Sequence, residues 1–165
     1  MLLSSITGIP LRQDRAVTGS INQRGQVQAV GGINEKVEGF FATCKSKGLT
    51  GEQGVLIPRA NVHNLMLRDE VVQAVANGKF HVWAISTIDE GIPLLTGYPE
   101  GSLQADGTYP EGSFNHKVVT SLAEFSRAMQ ATPKNATPNA EMNEKPDEKT
   151  EDKSDEQPIK EQPDK

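Results

Sequence analysis

Lys36 is the residue whose type and position could do chemistry. It closes the run Gly31-Gly32-Ile33-Asn34-Glu35-Lys36 and falls in the first turn of an amphipathic helix that follows a β-hairpin. A lysine takes a proton only when its amine is neutral, whereas an ordinary lysine has a pKa of about 10.4 and is charged at neutral pH. Two influences favour the neutral form at such a place. The positive end of the helix macrodipole disfavours another positive charge, and burial beneath a sheet would add desolvation. A neutral amine beside a serine hydroxyl is the arrangement that activates a covalent nucleophile. Periodicity alone reads Lys36 differently, as a surface lysine one turn before Phe40 and beside Glu35 on a solvated flank.

Other constellations offer less. The chain contains no Gly-x-x-x-x-Gly-Lys-Ser/Thr loop that would cradle ATP phosphates, so no ATP cofactor is expected on it. His63, His81 and His116 stand far apart in sequence, with one cysteine to join them, and no metal is expected. Asp69-Glu70 and Asp89-Glu90 read as acids that complement helix starts rather than as a hydrolytic carboxylate pair. Cys44 lies on the apolar face of a predicted helix and is expected to be a packing residue in a reducing compartment.

The elements that must position Lys36 can be read in order. Leu2 to Thr7 reads as the end of a helix stopped by Gly8 and Pro10. Asp14–Thr18 and Gln26–Val30 read as two strands of a hairpin turning through Asn22-Gln23-Arg24-Gly25. Gly31-Gly32 then breaks the strand. From Asn34 to Lys47 the apolar residues Val37, Phe40, Phe41 and Cys44 recur at i, i+3, i+4 and i+7, the spacing of one buried helical face, with Gly48 as the stop. Gly54–Ile57 is a short apolar strand ended by Pro58, and Val62–Leu67 a loop or single helical turn. Asp69 is expected to cap a helix that buries Val71, Val72 and Val75. Phe80–Ile85 is the next strand, and Ile88–Leu95 a helix that must tolerate Gly91 and Pro93. Strands alternating with helices predict an α/β fold of the α+β type, a mixed sheet with packed helices and parallel pairings after the hairpin.

Beyond Gly97 the pattern changes. Tyr98-Pro99-Glu100-Gly101-Ser102 recurs as Tyr109-Pro110-Glu111-Gly112-Ser113, either a duplicated recognition loop or, on the simpler reading, two proline-glycine turns. Asn115 to Met129 predicts an amphipathic helix with Val118, Val119, Leu122, Phe125 and Met129 inward. From Gln130 to Lys165 there are five prolines and sixteen charged residues, and Met142 and Ile159 are the only large apolar side chains. Such composition cannot offset its ordering entropy, so a disordered acidic tail is expected over 130–165. Its ten acids and six lysines carry −4 of the formal −5, which leaves the preceding part near neutral and gives no electrostatic case for a nucleic-acid partner. The opening residues lack a basic segment and a long apolar run, so neither a signal peptide nor a membrane span is expected, and the expected location is cytoplasmic. Asn135-Ala136-Thr137 matches a glycosylation sequon of the kind common by chance.

The order of Val17-Thr18-Gly19-Ser20, Arg24-Gly25-Gln26-Val27, Gly31-Gly32 with Asn34-Glu35-Lys36, and Gly54-Val55-Leu56-Ile57-Pro58-Arg59-Ala60-Asn61 resembles the peptidase domain of the Lon family, ATP-dependent serine proteases with a Ser-Lys dyad. The Asn-Glu-Lys form points to its Lon-like branch. The resemblance covers most of Leu2 to Gly97 and implies a partial peptidase domain over 1–97, a turn-rich extension with a terminal helix over 98–129, and the tail. It implies that Lys36 is the dyad lysine and that Thr18 lies beside the dyad and supports it. The family's serine lies at the start of a helix ahead of Val17, of which Leu2-Leu3-Ser4-Ser5-Ile6 is expected to be the tail, so the chain is expected to lack its own nucleophile and to be inactive alone. Ser4 and Ser5 are expected too far from the reacting atoms to replace it, and Ser20 is expected to be deflected by a bend at Gly19.

On this resemblance the expected function is that of the C-terminal portion of a Lon-like ATP-dependent serine endopeptidase, with ATP used by an ATPase part absent here. The expected partners are unfolded protein or peptide substrates and other Lon-like subunits, without nucleic acid or membrane. One alternative is a non-catalytic binding module that docks onto full-length Lon-like subunits. Another is a small peptidase whose nucleophile comes from a partner chain.

Overall fold

Gly54-Val55-Leu56-Ile57-Pro58 is buried at all five positions, and a short strand with no solvent face must lie between neighbours and under cover on both sides. The computed structural model, which describes residues 1–131, shows that arrangement. The elements are α1 (Leu2–Thr7), β1 (Arg15–Val17), β2 (Ser20–Ile21), β3 (Val27–Gln28), α2 (Ile33–Lys47), β4 (Gly54–Pro58), a 3₁₀ segment (Arg59–Asn64), α3 (Asp69–Ala76), β5 (His81–Ile85), α4 (Ile88–Thr96) and α5 (Phe114–Ala131). β4 is the centre of a three-stranded sheet ordered β1-β4-β5. Both pairings are parallel, with Ala16 opposite Val55 and Leu56 opposite Trp83.

The expected hairpin is corrected by this pairing. Asp14–Thr18 does not fold back on Gln26–Val30; its strand, β1, joins β4, and a separate antiparallel ribbon forms from β2 and β3 with Ser20 opposite Gln28. Gly19 is the reason. Its φ of 150° lies outside what side-chain-bearing residues adopt readily, and a Cβ there would stand 3.0 Å from Val27 Cγ1 and 3.3 Å from Pro58 Cγ. The chain bends at Gly19, between β1 of the sheet and β2 of the ribbon.

Helices cover both faces of the sheet. On one, Val37, Phe41 and Cys44 of α2 and Val71 and Ala74 of α3 pack with Val55, Ile57 and Phe80. The Phe41 and Phe80 rings meet edge to face with centroids 5.2 Å apart. On the other face Gly91 lets the α4 backbone approach so closely that an added Cβ would be 3.3 Å from Ile85 Cδ1 and 3.5 Å from Leu56 Cδ2. Gly91 is therefore a packing contact of α4, and Pro93 is carried within the same helix. A second cluster, Ile9, Ile92 and Phe114, joins α4 and α5 to the segment after α1.

Two helix faces differ from expectation. In α3 the buried residues are Val71 and Ala74, whereas Val72 and Val75 are exposed; Arg68 precedes the helix as its cap and Asp69 stands inside the first turn. In α5 Val118 packs on the second cluster, but Val119, Leu122, Phe125 and Met129 are exposed. α5 has 18 residues and its neighbour α1 has six, about 27 Å against about 9 Å at 1.5 Å per residue, so α1 can cover only part of α5.

The two Tyr-Pro-Glu-Gly-Ser copies act as turn and cap. The carbonyls of Pro99 and Glu100 accept from the amides of Phe114 and Asn115 at 2.8 and 2.9 Å, and the Gly101 carbonyl accepts from Asn115 Nδ2 at 3.0 Å. These bonds satisfy donors that the start of α5 would otherwise leave unpaired. The tail expected to be disordered lies outside the described residues, apart from Gln130 and Ala131, which end α5. No helix among the described residues is long and apolar enough to cross a membrane.

Candidate active site

Gly32 stands immediately before α2 with φ 65° and ψ 34°, a left-handed conformation that suits glycine and turns the chain into the helix. Lys36 is the fourth helical residue, and its N–H makes the opening bond to the Gly32 carbonyl at 3.2 Å. Its amine folds back along the helix start and donates to the Gly31 carbonyl at 3.0 Å. Lys36 therefore occupies the first turn, as expected, where the macrodipole acts on it. The expected burial beneath the sheet is not observed, since Lys36 is exposed.

Thr18 is half-buried just past the end of β1. Its N–H donates to the Leu56 carbonyl at 3.0 Å, which continues the parallel ladder by one residue. Hydrogen bonds of the described residues do not join the side chains of Thr18 and Lys36. Each is fixed separately, Thr18 on β4 and Lys36 on the glycine pair.

The segment after β4 ties these parts together, through a residue that sequence reasoning quoted but did not assign. Asn61, 4% exposed, accepts from the Val30 N–H through Oδ1 and donates to the Val30 carbonyl through Nδ2, both at 3.0 Å. Further along, Asn34 donates to the Asn64 carbonyl at 3.3 Å and accepts from the Met66 N–H at 2.8 Å. Glu38 accepts from the N–H and Nε of Arg68 at 2.9 and 2.7 Å. Asn34 and Glu38 are one helical turn apart on α2, so segment 59–68 is laced to the helix face that these two residues share. No local signal marked Asn61, because its partner lies 31 residues earlier in the chain.

The other hydroxyls and ionisable groups have local tasks. Ser4 donates to the Ile9 carbonyl at 2.6 Å behind α1, and the exposed Ser20 faces Gln28 Oε1 across the ribbon at 3.3 Å. Glu90 accepts from the Ser86 N–H at 2.9 Å while its own N–H donates to Thr87 Oγ1 at 3.3 Å, a reciprocal cap for α4. Glu70 pairs with Lys45, and His81 Nε2 lies 2.7 Å from the Gly51 carbonyl. Burial pushes the Cys44 thiol above its ordinary pKa, in keeping with a packing role. Among the described residues no group of three or more metal-ligating side chains comes together.

A parallel sheet covered by helices on both faces, with a lysine at the opening turn of the helix that leads into its central strand, defines a domain of the α/β class. The chain belongs to the family of the Lon protease (S16) C-terminal proteolytic domain, whose family model matches residues 1–95. It is 51% identical over 94 residues to a putative Lon protease homolog of Escherichia coli K12, an alignment covering 57% of this chain and 16% of that protein. A putative Lon protease homolog of Haemophilus influenzae is 46% identical over 97 residues, 59% of this chain and 16% of that protein. The archaeal Lon protease of Methanocaldococcus jannaschii is 33% identical over 94 residues, 57% and 12% respectively. The chain thus spans about a sixth or less of the length of these relatives.

Proposed function

We propose that this chain supplies the general-base half of a Ser-Lys dyad for peptide-bond hydrolysis. The observation that carries the reading is the place of Lys36, in the first turn of the helix that follows the left-handed Gly32. In the proposed reaction the neutral Lys36 amine takes the proton of a serine hydroxyl as that oxygen bonds to the substrate carbonyl carbon. The resulting ammonium returns the proton to the leaving nitrogen as the C–N bond breaks, and a water repeats the sequence to release the acyl group. Thr18, on the neighbouring strand end, supports the orientation of the pair.

The serine is supplied by sequence other than this chain, as is the ATPase that would consume ATP, so the chain alone is inactive. Its substrates are unfolded proteins or peptides, its other partners are Lon-like subunits, and its location is cytoplasmic, without nucleic acid or membrane. Burial of Lys36 would then come from the segment that brings the serine. A second reading, a module that docks onto full-length Lon-like subunits, is favoured by the exposed apolar side of α5.

The test is peptide and unfolded-protein cleavage by the purified chain, with and without ATP, and by the chain joined to the upstream segment of a Lon-like relative. The reading expects no cleavage by the first and cleavage by the second. Cleavage by the chain alone that vanishes in Ser20→Ala would overturn it.

A further inference from the structure

We infer that Asn61 is a positioning residue for the Lys36 amine, acting through Val30 and Gly31. The inference rests on the proposed role of Lys36 for its meaning in catalysis, but not for its geometry. The Gly31 carbonyl that receives the Lys36 amine belongs to a residue with no side chain to pack. Gly31 and Gly32 are both exposed, and a Cβ built at Gly31 would meet nothing within 4 Å. Gly31 therefore has no side chain through which packing could anchor that carbonyl, and the residues on either side constrain its direction. Downstream is α2 itself. Upstream is Val30, whose N–H and carbonyl are both taken by the Asn61 amide at 3.0 Å.

A side-chain amide that donates and accepts on one residue's main chain reproduces a rung of a strand ladder, and it fixes the peptide planes on both sides of Val30. The carbonyl of Val30 is followed at once by the Gly31 unit, where the chain turns into the helix. Asn61 is buried, so neither of its bonds can be exchanged for water without cost. It is also the third residue after Pro58, which ends the strand whose Leu56 carbonyl holds Thr18. One buried amide thereby links the β4 end to the glycine pair, while Asn34 and Glu38 lace the same segment to the helix beyond. Asn61 touches no reacting atom; it sets where the amine of Lys36 can stand.

The experiment is site-resolved acetylation of the native 165-residue chain by an amine-reactive N-hydroxysuccinimide ester, followed by mass spectrometry, with Lys45, Lys47 and Lys79 as internal references. Asn61→Ala removes both bonds, and Asn61→Leu removes them while keeping the side-chain volume, which guards against collapse of the cavity. Gln53→Ala is the matched control, because Gln53 is also a buried amide bridging main-chain groups, Thr50 N–H and Gly48 carbonyl, at the other end of α2. Both Asn61 variants are expected to speed Lys36 acetylation at least threefold relative to the reference lysines, and Gln53→Ala to leave that ratio unchanged. An unchanged Lys36 ratio in Asn61→Leu, or an equal rise at every lysine, would overturn the inference. The readout needs no catalysis, so a failure of the general-base reading would appear separately, as cleavage that survives Lys36→Ala in the extended protein.

Discussion

Gly54→Ala should destabilise the sheet by more than a surface change could, and the structure sets the size. An added Cβ would lie 2.4 Å from the His81 carbonyl oxygen, 2.6 Å from Trp83 Cζ3 and 2.8 Å from His81 Cβ. The first of these is main chain of the paired strand, opposite Gly54 in the β4–β5 register, so it cannot yield without opening the ladder. Overpacking of this kind costs about 1–3 kcal/mol. Trp83 would also be driven from its place under the Arg15 guanidinium, 4.6 Å from the ring centroid, and from the stacked His81 ring at 5.1 Å. A cation over an indole adds about 0.5–1 kcal/mol, more where desolvated, and Arg15 is largely covered, with its Nε buried and without a hydrogen-bond partner. The total is about 1.5–4 kcal/mol, which for a urea slope of about 2 kcal/mol/M lowers the midpoint by about 0.8–2 M. Trp83 is the single tryptophan of the chain, so its fluorescence follows both the unfolding and the local displacement. A midpoint within about 0.3 M of the parent and an unshifted emission maximum would refute the close packing of β5 on Gly54.

Gly39→Ala should act in the opposite direction. Gly39 lies inside α2, exposed and with nothing within 4 Å of an added Cβ, so the change should stabilise by about 0.5–1 kcal/mol in urea unfolding; a loss of stability would show that this position is not free. Asp14 is held below the usual carboxylate range, chiefly by its hydrogen bonds from Arg12 at 3.0 and 2.5 Å. Its folded pKa lies under the unfolded value of about 3.9, so its contribution is present above that pH and is lost as pH falls through the folded pKa. The urea midpoint should therefore drop on acidification below about pH 4 by less in Asp14→Asn than in the parent, and identical pH profiles would contradict the assignment.

How much of this was legible in the sequence depended on whether the deciding contact was local. α2 was, because Val37, Phe41 and Cys44 mark one face by spacing and Gly48 ends the helix. β4 was, because a bounded apolar run reads as a fully buried strand. The partner of β1 was not: Gln26–Val30 is adjacent in sequence and follows a good turn, and the competing strand at Gly54 wins only because the backbone bends at Gly19. Nor was the exposure of Leu122 and Phe125, since an apolar stripe states which face could be buried and not whether a neighbour is long enough to bury it. Lys36 and Thr18 are singled out by the order of motifs that carries the resemblance, not by a local contact between them. The clamp on the glycine pair is not, because Asn61 and Val30 meet through the fold, and Asn61 carries no local pattern that distinguishes it from a turn asparagine.

The central claim is that the Lys36 amine is the base of a dyad whose serine lies outside this chain, and peptide cleavage by the upstream-extended protein tests it most directly. In that protein Lys36→Ala should abolish cleavage while leaving the urea midpoint near that of the parent, since Lys36 is exposed here and its amine makes one main-chain bond. Lys36→Arg should fail as well, because a guanidinium stays protonated and cannot accept the serine proton. Cleavage that persists at the parent rate in either variant would contradict the account.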